Sequence, residues 1–261
     1  MKQIYWCVLA LLPPVIAHSD SVFLKDGKVY PAKELRKEGN FLLFKAPGPD
    51  GTPTDVVSPM NQVERVEFTE LPALAEARQL ARQGDSAGVL EKTAAAAVFF
   101  RGYSDVPGNQ WADVMRLRLP ALAAGNADAS LMELQAQWTP TGDAELDTAY
   151  RLLLAAKSDP PGARTAWKAL AQPGANSLAA GISWLELGKE ALAEKRWTDA
   201  ISAFLSVEVF VPTQRLLQPK ALIGAAKAFV AKGEKTKAAA LVEDIKSEYP
   251  KALTEAMAVL K

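Results

Sequence analysis

Between residues 20 and 69, apolar and polar positions alternate in short runs broken by turn residues. Ser21-Val22-Phe23-Leu24 leads into Lys25-Asp26-Gly27-Lys28. Asp-Gly between apolar runs marks a tight hairpin, because glycine tolerates the positive φ such a turn needs. The pattern predicts strands over 21–24, 29–36, 41–44, 54–58 and 62–68, with Pro31 at an edge or bulge and a Pro/Gly/Asp loop over 47–53. From Leu71 onward alanine becomes abundant and the apolar period lengthens to that of a helix. Paired helices are predicted over 71–82 and 87–100, 111–124 and 127–138, and 144–157 and 162–171. Two further pairs follow, and then a closing helix over 251–261. Pro120 is expected to kink or end the helix that contains it.

The last two pairs repeat each other. Gly188 and Ala226, Ala200 and Ala238, Phe204 and Val242, and Pro212 and Pro250 all stand thirty-eight residues apart. A fixed period of this size is the mark of a helical repeat array. Small residues at 188, 200, 226 and 238 let two helices cross closely, while Trp184, Phe204 and Phe229 fill the space beside them.

These residues resemble the tetratricopeptide repeat (TPR) family. With Gly188 as the eighth position, Trp184, Leu187, Ala200, Phe204 and Pro212 stand where the family pattern wants them. Ala226, Phe229, Gly233, Ala238 and Pro250 do so in the second repeat. Ala191 and Lys195 depart from the pattern, replacing an aromatic residue and the turn glycine. The period exceeds the family's usual length of about 34, and the excess falls in the connection over 210–215. The resemblance implies a solenoid of helical hairpins whose first helices line a concave groove. The groove positions would be Ile182, Leu185, Lys189 and Leu192 in one repeat and Lys220, Ile223, Lys227 and Val230 in the next. Lys189 and Lys227 would then receive a peptide carboxylate or an acidic segment. Phe23-Leu24-Lys25-Asp26-Gly27 together with Val63-x-x-Val66-x-Phe68 resembles the SH3-like or Sm-like small barrels of exported bacterial proteins.

The first residues carry an address. Lys2, an apolar run from Ile4 to Leu12 and Val15-Ile16-Ala17 read as a secretory signal peptide cleaved near Ala17. The run is too short for a membrane span of about 20 residues, and no later segment is long and apolar enough to supply one. Cys7, the single cysteine, would leave with the signal. Thirty Lys and Arg balance thirty Asp and Glu, so net charge gives no steering toward nucleic acid or an anionic surface.

Chemistry has little to stand on. His18 is the one histidine, and it falls at the new N-terminus, so a Ser-His or Cys-His pair has no base. No zinc ligand set exists. Neither Gly27-Lys28 nor Gly188-Lys189 continues into a phosphate loop. Asp50, Asp55 and Glu70 are carboxylates with nothing to fix their spacing. Aromatics at 99, 100, 103 and 111, with the loop over 104–110 between them, fit either a core or an interface anchor. The reading is a mainly α protein with a signal peptide (1–17), a small β-barrel (18–70) and a TPR-like α-solenoid (71–261). It would act without a cofactor as an exported, non-enzymatic scaffold in the periplasm or envelope. Its partner would be a protein or peptide, not nucleic acid, with self-association through the open ends of the solenoid. Two alternatives remain: a carbohydrate- or peptidoglycan-binding protein with exposed Tyr30 or Phe44, and a hydrolase with an acidic pair.

Overall fold

The computed structural model describes residues 20–125 and 128–261. The signal segment, with Cys7 and His18, lies outside the described residues. The chain divides into two compact units, Met1–Thr69 and Glu70–Lys261.

The first unit holds β1 (Asp20–Leu24), β2 (Val29–Glu38), β3 (Phe41–Pro47), β4 (Pro53–Pro59) and β5 (Val63–Glu67). They form one antiparallel sheet in the order β4-β3-β2-β1-β5. Gly27, at φ 86°, closes the β1–β2 hairpin. The long β2 serves two neighbours. Val29 to Ala32 pair with β1, and Lys33 and Arg36 to Glu38 pair with β3. The register slips between Lys33 and Arg36, where Glu34 adopts φ 53°. The irregularity thus falls just beyond Pro31, which pairs opposite Ser21. Alternation puts Val22, Ala32, Leu42, Phe44, Val63 and Val66 in the core of this unit.

The second unit is helical: α1 (Pro72–Arg82), α2 (Ser86–Arg101), α3 (Trp111–Ala124), α4 (Asp128–Gln137), α5 (Ala144–Ser158), α6 (Pro160–Leu170), α7 (Leu178–Ala193), α8 (Trp197–Phe210), α9 (Gln218–Ala231), α10 (Lys235–Glu248) and α11 (Leu253–Ala258). Capping sets several starts. Asp85, Asp143, Asp159 and Ser177 accept backbone N–H bonds at the first turns of α2, α5, α6 and α7. Asp159 followed by Pro160 explains why α6 begins two residues before the expected 162. The closing helix is shorter than expected, since a separate turn over Pro250–Ala252 precedes it. Pro120 does not end α3. Every residue from Arg118 to Ala124 is buried, and that packing outweighs the backbone bond proline cannot make.

Three hairpins close with one turn. Gly84, Lys195 and Gly233 each adopt a left-handed φ of 72°, 59° and 87°. The following amide donates to the carbonyl five residues back, Asp85 to Leu80, Arg196 to Ala191 and Glu234 to Phe229, at 3.0, 2.8 and 2.8 Å. This is the ending that satisfies a helix's last carbonyls. The α1–α2 hairpin therefore shares the turn of α7–α8 and α9–α10, although its side chains do not advertise it.

The first helices of successive hairpins stack in order, α1 on α3, α3 on α5, α5 on α7, α7 on α9 and α9 on α11. The 211–217 connection folds inward, burying Leu216 and Leu217. Leu216 packs with Val89 of α2 and Ala121 of α3. At Gly84 an added Cβ would meet Pro219 at 2.6 Å and Tyr249 at 2.8 Å. The first hairpin thus touches the last, and the helical unit closes on itself.

Candidate functional site

Two small residues organise the centre of the helical unit. Gly188 on α7 and Gly224 on α9 both abut the ring of Phe204 on α8, where a Cβ would come within 2.6 and 2.5 Å of ring carbons. Phe204 is 2% exposed. This wedge sets how closely α7 and α9 approach, and so positions the side chains they project beside it.

Those side chains line a cavity of about 540 Å³, within the usual range of roughly 300–1,000 Å³ for ligand sites. Its apolar wall includes Leu122, Leu131, Leu153, Leu192, Phe204 and Ile223. Its polar lining is cationic: Lys157, Lys189, Lys220 and Lys227 against Glu186. The lysines come from α5, α7 and α9. Lys220 and Lys227 share a face of α9 because seven residues make two turns.

Each lysine of the expected groove already has company. Lys189 Nζ donates to Glu186 Oε1 at 2.7 Å and to the Ala123 carbonyl at 3.2 Å. That carbonyl belongs to the last turn of α3, where backbone oxygens lack helical donors and a cation is favoured. Lys220 donates to Glu255 Oε1 on α11 at 3.1 Å, and Lys227 lies 3.6 Å from the same oxygen. Burial pushes the Glu255 carboxyl up, but Lys220 and Lys227 outweigh it and hold it below the usual carboxylate range.

Five of the eight expected groove residues, Lys189, Leu192, Lys220, Ile223 and Lys227, meet in this cavity. Three do not line it. Ile182 and Leu185 are wholly buried. Val230 packs with Ala226, Phe229 and Ala238 in an apolar cluster. Lys157, Glu186 and Glu255 are the residues that the sequence reading left out. Of the repeat residues, Gly188, Ala200, Phe204, Ala226, Phe229 and Ala238 are buried, while Pro212 and Pro250 are exposed just past the ends of α8 and α10. Trp184 is half-buried and stacks on Phe210, 6.3 Å between ring centres. Leu187 packs on the cluster around Trp167.

A second hollow on the other side of α7 is lined by Trp184 and an ion network. Arg164 pairs with Glu190 and Glu194, and Arg196 pairs with Glu194 and Asp199. These are partly exposed pairs of opposite charge, of little energetic weight. Of that aromatic set Phe100, Tyr103 and Trp111 are buried and belong to the core, while Phe99 is 41% exposed. The loop over 104–110 is fastened by Asn109, whose Nδ2 donates to the Ser104 and Val106 carbonyls and whose Oδ1 accepts from Trp111 N–H. Phe44 is buried and packs near Tyr30, 5.8 Å between ring centres, so it offers no solvent-facing platform. Among the described residues no group of three or more His, Cys, Asp or Glu could hold a metal ion, and no helix is long and apolar enough to cross a membrane. Comparison with known protein families, with curated proteins and with solved structures finds no match to this chain.

Proposed function

We propose that the protein is a non-enzymatic, exported scaffold of the cell envelope that captures an acidic segment of a protein partner in the helical unit. The helical unit is read as a TPR-like solenoid and the first unit as an SH3-like or Sm-like barrel. The repeated hairpin turn and the ordered stacking of first helices support the former. The strand order, with one long bulged strand shared between neighbours, supports the latter. The observation that carries the function is the cavity itself. Four lysines from three helices converge on an apolar wall, the combination that recognises a carboxylate next to an apolar side chain. The preformed cavity keeps the ordering cost of binding low.

The test is crosslinking in the native envelope with the wild-type chain and a Lys189→Met/Lys227→Met variant. Methionine is chosen because a glutamate at 189 would face Glu186 and one at 227 would face Glu255. The wild type should retain its partners and the variant should lose them at unchanged helix content. A variant that keeps the same crosslinked partners would refute the cavity as the docking surface.

A further inference from the structure

The partners of Lys220 and Lys227 go beyond that reading. Both lysines address one carboxylate oxygen, Glu255 Oε1, at 3.1 and 3.6 Å. Glu255 belongs to α11, a helix of six residues near the C-terminus. Lys189, by contrast, is fastened to Glu186 and to a helix end. Lys220 and Lys227 thus share a carboxylate partner that sits on a short separate helix.

We propose that α11 is a displaceable plug, whose Glu255 carboxylate occupies in the free chain the place that Lys220 and Lys227 offer to an acidic side chain of the partner. The inference rests on the reading of the cavity as a docking surface for an acidic segment. Three features make the plug releasable. A helix of this length has no stability of its own. No side chain caps its N-terminus, and Ala256 is its one buried residue. The ion pairs are partly exposed, with 22% and 44% of the two lysine side chains and 48% of Glu255 open to solvent, so little is lost when they part. Local opening of such a segment is cheap compared with global unfolding. Ala256 is held in the cluster of Leu222, Ile223 and Tyr249, with Leu253 and Val259 packed against it, while Met257 is 52% exposed, so the anchoring of α11 is confined to one narrow face. A partner carboxylate replaces Glu255 charge for charge, so the lysines are paired in both the free and the bound state.

The test uses the full-length chain and two dye-labelled probes, a short oligoglutamate peptide and its oligoglutamine counterpart, read by fluorescence anisotropy. Glu255→Gln removes the internal competitor and should tighten oligoglutamate binding about fivefold or more, the lower end of typical coupling between sites. Lys220→Gln/Lys227→Gln should weaken binding and abolish the effect of Glu255→Gln. Hydrogen exchange over 253–258 should quicken when wild type is saturated with oligoglutamate. If Glu255→Gln leaves affinity unchanged, or exchange in α11 stays slow in the complex, the plug is refuted while the docking reading stands. Equal binding of both probes, or no binding by either Glu255 form, overturns the plug and the docking reading together.

Discussion

Replacing Gly224 by alanine separates two opposed forces. Gly224 lies inside α9, and alanine in a helix interior is favoured over glycine by about 1 kcal/mol. Local propensity alone therefore makes Gly224→Ala stabilising. The packing says otherwise. The new Cβ would sit 2.5 Å from Phe204 Cζ and 2.7 Å from two neighbouring ring carbons. The ring cannot retreat easily, because the α7 backbone at Gly188 crowds its Cδ1 edge, where an added Cβ would be at 2.6 Å. Overpacking of this kind costs about 1–3 kcal/mol, so the net change should be a loss of about 1 kcal/mol. Phe204→Ala alone should cost about 3–5 kcal/mol. In that background the alanine at 224 has room, and its sign should reverse to a gain of about 1 kcal/mol. The coupling between the two sites is then about 2 kcal/mol, typical of residues in contact. Urea unfolding followed by tryptophan fluorescence is the assay. Trp111, Trp138, Trp167, Trp184 and Trp197 all lie in the helical unit, and the strand region over 20–69 has no tryptophan, so in a Trp6→Phe background the signal reports on the helices alone. A higher midpoint for Gly224→Ala in the wild-type background would refute the wedge.

Two further outcomes follow from single residues. Lys195 is held at φ 59° where the equivalent position in the next hairpin is Gly233. Lys195→Gly should raise stability by about 0.5–1 kcal/mol, since the left-handed conformation is strained for a side chain, and Gly233→Ala should lower it by a similar amount in thermal melts. Burial pushes the Tyr249 hydroxyl from 10.0 up to about 12. Its neutral form is favoured in the fold, so the contribution is intact below pH 10 and is lost as pH rises from about 10 to 12. That loss is about 3 kcal/mol. A Tyr249→Phe variant should lack this alkaline step, and an identical step in that variant would assign it to another group.

A mainly helical chain with a small sheet near its start was legible because its signals are local. Asp26-Gly27 fixes a hairpin, and alanine-rich periodicity with a constant offset fixes paired helices. Lys195 could be placed at the turn by its offset from Gly233, but its left-handed backbone was not legible, because lysine is not a residue that announces one. The kinship of α1–α2 with the later hairpins was hidden for a related reason. Ala77, Leu80 and Val89 differ from Gly188, Ala191 and Ala200, and what the hairpins share is a backbone hydrogen bond. Of the cavity lysines, Lys189, Lys220 and Lys227 follow from the sequence as groove positions, with Lys189 set beside Lys227. Lys157 and Glu186 in the lining, and Glu255 beside Lys220 and Lys227, do not, since their arrival depends on how α5, α7 and α11 stack around α9.

Ile182 and Leu185 are buried, so the surface that the helical unit opens is shorter than a groove running the length of every first helix. In a gently curved row of hairpins, both would face the inner surface. Here α3 packs directly on α7 as well as on α5, and Gly181 at the head of α7 admits Leu217 within 2.8 Å of where a Cβ would stand. The first half of α7 is thereby covered, and its surface opens only from Glu186 onward, where Lys189 reaches across to the end of α3. The longer connection over 211–217 contributes to this covering. It carries Leu216 to α2 and α3 and Leu217 to α7, drawing the first hairpin against the last. The closure turns what would be a long channel into a bounded cavity. A cavity of about 540 Å³ accepts a few side chains, not the length of a helix. Under the proposed docking reading, the acidic group would have to come on a short projecting segment, as Glu255 does on α11.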